Sequence, residues 1–184
     1  MTECSPVIST NLSWNSKKGS VGKLLPNCEA KTVNEELWVK GTSVMQGYYH
    51  MPEETAETFE DGWLKTGDLG YVDEDGFVFL TGRKKNLIIT PNGENVSPEE
   101  IENMLSEKRI IQEVLVRESE GVIEAEIFPD YEYAAKKRVK DIRSNLQKIL
   151  DEYNLKAPLY KRVVKLKIRE TEFEKNTTKK IKRF

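Results

Sequence analysis

Residues Tyr71-Val72-Asp73-Glu74-Asp75-Gly76-Phe77-Val78-Phe79-Leu80 read as a β-hairpin. Two apolar strand-forming runs flank four residues of turn chemistry, and Asp75-Gly76 supplies the types that tolerate φ > 0 in a tight turn. The competing reading of those carboxylates is a calcium loop. It fails because an EF-hand needs Asp where Tyr71 stands and Glu where Gly82 stands. Upstream, Glu36-Leu37-Trp38-Val39-Lys40-Gly41 is a short strand ending at glycine. Residues 52–59 form a short helix, with Pro52 suited to the first turn and Glu53 and Glu54 complementing its positive dipole end. The first 30 residues are rich in Ser, Asn, Gly and Pro and read as loops and short strands, punctuated by Gly19, Gly22 and Pro26. Region 1–82 is therefore strand-rich with little helix.

Downstream the pattern changes. Ser97-Pro98-Glu99-Glu100 is a capping box with proline at the first helical position, and Ile101, Met104 and Leu105 follow at helical spacing. Residues 113–118 and 122–128 form a second hairpin around Gly121. In its second strand Ile123, Ala125 and Ile127 alternate with Glu124 and Glu126, which predicts one buried and one wet face. A longer helix is expected over 131–152, with Ala135, Val139, Ile142, Leu146 and Ile149 stepping by four, three, four and three. Asn154 ends it and Pro158 prevents a restart. Val164, Leu166 and Ile168 alternate with Lys165, Lys167 and Arg169, a half-exposed strand with a basic face. Residues 170–184 are polar and expected to be mobile. The fold class is α+β: a short-strand β subdomain, then a small lobe with a mostly antiparallel sheet packed by helices.

Composition bounds the function. The chain has 184 residues, 38% hydrophobic and 33% charged, enough for one domain or two small ones. No apolar run approaches the ~18 residues of a membrane span, and the first residues carry neither a basic n-region nor an apolar h-region. Two cysteines exclude a disulfide framework and a zinc cluster, and the single histidine, His50, excludes a multi-histidine metal site. A reducing cytoplasm fits best. Net charge is −2 but unevenly spread: residues 1–82 hold six lysines against thirteen acidic residues, and residues 161–184 hold ten basic against three acidic. Charge alone therefore suggests a break near residue 83. The basic end nearly lacks the interleaved aromatics that single-strand binders need, so no nucleic acid is expected. By itself it remains a solvated face or an anion-binding surface.

Four segments, Thr2-Glu3, Gly67-Asp68-Leu69, Gly82-Arg83-Lys84-Lys85 and Lys175-Asn176-Thr177-Thr178-Lys179-Lys180-Ile181-Lys182-Arg183, together carry a family resemblance. In this order and at these spacings the chain resembles the C-terminal portion of the acyl-adenylate-forming enzymes. Within them it is most similar to bacterial AMP-forming long-chain fatty-acid–CoA ligases. The resemblance runs along essentially the whole chain. It implies ATP, Mg²⁺ and the co-substrate CoA, a fatty acid or another carboxylic acid as acceptor, and a cytoplasmic enzyme, peripheral at the membrane at most. It leaves open an acyl-carrier-protein ligase and a noncatalytic accessory or anion-binding module.

The resemblance also implies roles. Thr2 would contact the α-phosphate and Glu3 would hold Mg²⁺, a hard cation that takes oxygen ligands. Asp68 would accept hydrogen bonds from both ribose hydroxyls, which suits a carboxylate with two acceptor oxygens. Read alone, Gly67-Asp68 is more readily a tight turn, and the flanking hairpin and Gly82-Arg83 shift the balance to the ribose role. Arg83 would contact ribose and phosphate with its fork of donors. Lys85 occupies the hinge position between a large domain ending at 84 and a small mobile lobe over 85–184. On chemistry alone Lys84-Lys85 is equally an exposed basic turn. The loop Thr90-Pro91-Asn92-Gly93-Glu94-Asn95-Val96-Ser97-Pro98 would line the CoA pantetheine tunnel, with Gly93 allowing close backbone approach. Asn92 and Glu94 depart from the family's glycine and lysine. Lys180 would be the catalytic lysine, with Glu174 standing for the family's proline and Lys179 for the glycine before that lysine. The family's Gly-rich phosphate loop, acyl pocket and adenine-binding segment are absent from these residues. The chain is thus expected to need an N-terminal part of the same enzyme and to be inactive alone.

Overall fold

The computed structural model describes residues 1–177 and 179–183. The chain divides into two compact units, Met1–Lys85 and Asn86–Phe184.

In the first unit the strands are β1 (Ser9–Thr10), β2 (Lys23–Leu24), β3 (Cys28–Val33) and β4 (Glu36–Gly41). Helix α1 (Pro52–Thr58) follows, then β5 (Phe59–Glu60), β6 (Trp63–Val72) and β7 (Val78–Arg83). An antiparallel five-stranded sheet runs in the order β3-β4-β6-β5, with β7 also paired to β6. The β6–β7 hairpin turns where the sequence places it. Gly76 has φ +82, and the Asp73 carboxylate accepts the Asp75 and Phe77 amides at 3.1 and 2.8 Å. Residues 21–24 are bonded to this hairpin, Val21 to Val78 and Leu24 to Gly76. The core is small: Cys4, Leu37, Val39, Leu64 and Val78 are all buried. Burial also pushes the Cys4 thiol up to about 11, so it stays protonated and inert.

The second unit holds β8 (Ile88–Ile89), β9 (Asn95–Val96), α2 (Pro98–Ser106), β10 (Ile111–Ser119) and β11 (Val122–Pro129). Helices α3 (Tyr131–Lys136) and α4 (Ile142–Lys156) and strand β12 (Val163–Ile168) complete it. Strands β8 and β9 pair as a short antiparallel ladder. The main sheet runs β10-β11-β12, antiparallel between β10 and β11 and parallel between β11 and β12. A parallel pair needs a crossover, which α3 and α4 supply. Ile101 and Leu105 of α2, Val114 and Val116 of β10, Ile123, Ala125 and Ile127 of β11, and Leu146 and Leu150 of α4 share one core. The class is α+β.

Several expectations are corrected. The expected single helix over 131–152 is two helices. Arg138 takes φ +54, the left-handed region that interrupts a helix, and the Asp141 carboxylate caps α4 by accepting the Ser144 amide. Ala134, not Ala135, faces the core. Asn154 lies inside α4, and its side chain instead bonds both the amide and the carbonyl of Val163. Those bonds set β12 in a register that buries Val163 and leaves Val164 66% exposed. Ser97 occupies the cap position of α2, but its hydroxyl donates to Glu99 and no side-chain cap bond forms, while Glu100 pairs with Lys161.

The face of β11 expected to be wet is also covered. Glu124 and Glu126 are only 9% and 2% exposed. Arg117, Lys167 and Arg169 lie over Glu126 at 2.9–3.1 Å. The expected mobile tail is docked: Phe173 is buried, Lys175 bridges to Ile181, and Arg183 pairs with Glu102. Thr178 of the last motif lies outside the described residues. No helix among the described residues is long and apolar enough to cross a membrane.

Candidate functional site

In the first unit the β6–β7 register sets Asp68 opposite Arg83, and Arg83 Nε lies 2.7 Å from Asp68 Oδ1. The residue before Asp68 is held as well. Gly67 has φ +69, and its amide donates to Glu36 Oε1 at 2.9 Å. The other Glu36 oxygen accepts Lys84 Nζ at 2.9 Å. Glu36 is 4% exposed. Burial pushes its carboxyl up, but Lys84 and the Gly67 amide outweigh that and hold it below the ordinary range. Glu36 thus ties the Thr66-Gly67-Asp68 bend to the basic turn that follows Arg83.

Two clefts share Gly67 and Lys84. One, about 300 Å³, is lined by Gly67, Arg83, Lys84 and Lys85. The other, about 350 Å³, is lined by Glu3, Glu36, Tyr48, Lys65 and Lys84 among others. Glu3 sits in the helical turn Thr2–Cys4 and accepts the Tyr48 hydroxyl at 3.2 Å. The exposed Thr2 lines neither cleft. Asp68 also lines a neighbouring cleft of about 250 Å³ with Met1, Leu37 and Thr66. Among the described residues no three His, Cys, Asp or Glu converge as a metal cage. A single carboxylate such as Glu3 still fits Mg²⁺, which keeps several waters and shares phosphate oxygens.

Three participants in this arrangement escape sequence reading: Glu36, Tyr48 and Lys84. For Glu36 one signal was available, an acidic residue opening an otherwise apolar strand run. For Tyr48 there was none.

In the second unit Gly93 occupies the turn between β8 and β9, with φ +81. Its amide donates to the Thr90 carbonyl at 2.8 Å, and a Cβ added there would meet nothing within 4 Å. The backbone conformation therefore explains this glycine within the unit. Lys180 lies in the docked tail loop. Its amide donates to Asn176 Oδ1 at 2.9 Å, and Asn176 N donates back to the Lys180 carbonyl at 2.9 Å. Lys180 is exposed, and among the described residues its ammonium has no ion-pair partner. Lys179 takes φ +60, a conformation glycine favours.

Residues 85–183, more than half of the chain, match the family model described as the AMP-binding enzyme C-terminal domain. The chain belongs to that family. The chain is 43% identical over 129 residues to the long-chain-fatty-acid–CoA ligase of Bacillus subtilis, covering 63% of the chain and 23% of that protein. It is 45% identical over 117 residues to the 2-succinylbenzoate–CoA ligase of Bacillus pumilus, covering 57% of the chain and 24% of that protein. Among solved structures, the o-succinylbenzoate CoA synthetase of Bacillus subtilis in complex with its acyl-adenylate intermediate superposes with a TM-score of 0.79. The identity is 30%, over 98% of this chain and 38% of that one. The chain thus spans about a quarter of the length of these curated relatives.

Proposed function

We propose that the chain is the C-terminal part of an ATP-dependent ligase that joins a long-chain fatty acid to CoA. In the first step a carboxylate oxygen attacks the ATP α-phosphorus, the bond to pyrophosphate breaks, and acyl-AMP forms. In the second, the CoA thiolate attacks the acyl carbonyl, the acyl–phosphate C–O bond breaks, and AMP leaves. Chemistry of this kind depends on positioning and charge stabilisation.

Asp68 would accept the ribose hydroxyls, and Arg83, already paired to it, would reach ribose and phosphate. Thr2 would contact the α-phosphate. Glu3 would hold Mg²⁺, which supplies charge neutralisation on the phosphates. The Lys180 ammonium would neutralise charge on the attacked phosphate, then leave. Lys85 would be the hinge for that exchange, and Gly93 would serve the CoA arm.

The observation that carries this reading is the Lys180 loop: its backbone is fixed while its ammonium is exposed and, among the described residues, has no ion-pair partner. An ammonium committed to a carboxylate would not be available to a phosphate. The relatives named for long-chain fatty acids support the acid. The relative and the solved structure named for succinylbenzoate support a second reading, in which that aromatic acid is the substrate.

The test is a chimera in which this chain replaces the matched region of the Bacillus subtilis fatty-acid ligase. Fatty-acid-dependent pyrophosphate release that Lys180→Ala abolishes is expected, whereas the 184-residue chain alone should release none. A folded chimera without acyl-AMP formation would overturn the reading. Higher activity on the 2-succinylbenzoate ligase as host would favour the second acid.

A further inference from the structure

We propose that Glu102 is a positioning residue for Lys180, acting through a clamp on Arg183. This deepens the function proposed above and rests on its reading of Lys180.

Glu102 Oε1 accepts the Val116 amide of β10 at 2.7 Å, and Oε2 takes Arg183 Nη2 at 2.5 Å. Arg183 also reaches Glu99 at 3.3 Å and the Val116 carbonyl at 3.4 Å. Helix α2, the edge strand and the last turn of the tail are thereby joined at one carboxylate. The clamp is largely withdrawn from water, with side chains 13% and 20% exposed. Burial raises the Glu102 carboxyl above its ordinary range in spite of Arg183 and the Val116 amide. Such a pair is expensive to desolvate, and anchoring an otherwise polar chain end does not require one.

A second anchor lies upstream. The Glu113 carboxylate accepts the Phe173 amide at 2.8 Å and Lys175 Nζ at 2.5 Å. Between the two anchors the loop closes on itself: Lys175 bridges Ile181, and the Lys179, Lys180 and Lys182 amides all donate within it. Lys180 lies three residues before Arg183, so releasing Arg183 frees one side of the loop that carries the ammonium. Reacting groups displaced by ~1 Å lose on the order of 10²-fold in rate.

The test uses single-turnover acyl-AMP formation in the chimera for Glu102→Gln, Lys180→Ala and the double variant. Glu102→Gln should slow that step roughly 10- to 100-fold. In the Lys180→Ala background it should change the rate less than about twofold, because a positioning residue has nothing left to position. Thioester formation from supplied acyl-AMP should stay near the parent rate. A Glu102→Gln effect that is undiminished beside Lys180→Ala, or equal in both half-reactions, overturns the proposal. Lys180→Ala at the parent rate overturns the reading of Lys180 itself. Hydrogen exchange on the 184-residue chain tests the clamp independently. Glu102→Gln should speed exchange at the Lys179, Lys180 and Lys182 amides about tenfold or more and leave β11 unchanged. Unchanged tail exchange overturns the proposal. Arg183→Lys, which keeps the charge and loses the fork, should speed the same amides, and it keeps the test decisive should Glu102→Gln not fold.

Discussion

Asp68 and Arg83 face each other across the β6–β7 ladder, with Arg83 Nε 2.7 Å from Asp68 Oδ1. The Arg83 side chain is 49% exposed, so the pair contributes no more than about 1 kcal/mol to folding. The Arg83 guanidinium has further N–H donors to offer a bound nucleotide. Arg83→Ala is therefore expected to lower unfolding stability of the chain by less than about 1 kcal/mol in urea. In the chimera it should raise the ATP KM by roughly 10- to 100-fold, the scale of charge-assisted hydrogen bonds. The opposite pattern, lost stability with an unchanged KM, would make the pair a structural strut.

Glu126 carries the clearest pH dependence. Its oxygens face Arg117, Lys167 and Arg169 at 2.9–3.1 Å. Burial raises its carboxyl, but the three cations outweigh that and hold it below 4.5. A depressed carboxyl stabilises the fold fully above its unfolded value and loses that effect as pH falls through the folded one. Glu126→Gln should cost about 1–3 kcal/mol at pH 7, and the gap to the parent should narrow as pH falls below ~4. Urea titrations at several pH values would measure it, and a gap that widens on acidification would contradict the assignment.

Gly93 separates a backbone role from a ligand role. At φ +81 an ordinary side chain is strained by ~1–2 kcal/mol, whereas Asn tolerates that region. Gly93→Asn should therefore keep the stability of the chain better than Gly93→Leu. If the CoA arm passes over Gly93, both variants should slow thioester formation, Leu more than Asn, and leave acyl-AMP formation near the parent rate. Half-reaction rates in the chimera decide. A Gly93→Asn variant with parent thioester rates would leave only the backbone role.

Lys85 lies at the end of the first unit, in the helical turn Lys84–Asn86. Proline at 85 fixes φ and limits the rotation a hinge needs. Lys85→Pro is expected to slow the thioester-forming step more than the adenylating step. Equal slowing of both would remove the hinge role.

The hairpin at Asp75-Gly76, the strand Glu36–Gly41 and the proline-led helix α2 were legible because each depends on local chemistry: a turn pair, an apolar run, a proline at the first helical position. Features that depend on distant partners were not. Glu124 and Glu126 alternate with apolar residues as a wet face would, and only the pairing of β12 brings Lys167 and Arg169 over them. The tail looked mobile because it is polar, yet its anchors, Glu102 and Glu113, lie 60 or more residues upstream. In the candidate site Asp68 and Arg83 were singled out from their segments, and the β6–β7 register sets them opposite each other. Glu36, which holds Gly67 and Lys84 together, was not, since a glutamate at a strand start reads as solvent-facing until the sheet closes over it.

The register of the tail lysines yields the sharpest expectation. Two adjacent lysines compete for the proposed catalytic position, and they differ in backbone geometry. Lys179 is held at φ +60 with its amide on the Asn176 carbonyl, while the Lys180 amide is on Asn176 Oδ1. A left-handed residue followed by an exposed ammonium matches a glycine followed by a working lysine. Lys179→Gly should thus be neutral or stabilising, because it removes a left-handed strain of ~1–2 kcal/mol, offset in part by glycine's greater chain entropy. It should also preserve acyl-AMP formation. Lys180→Ala should reduce acyl-AMP formation by about 10²–10³-fold, the scale for losing one preorganised charge-stabilising donor, and leave thioester formation from supplied acyl-AMP largely intact. Single-turnover rates for both half-reactions in the chimera measure each. If Lys179→Gly abolished adenylation and Lys180→Ala did not, the catalytic ammonium would belong to Lys179. The positive φ would then be a strained catalytic position rather than a vacated glycine site.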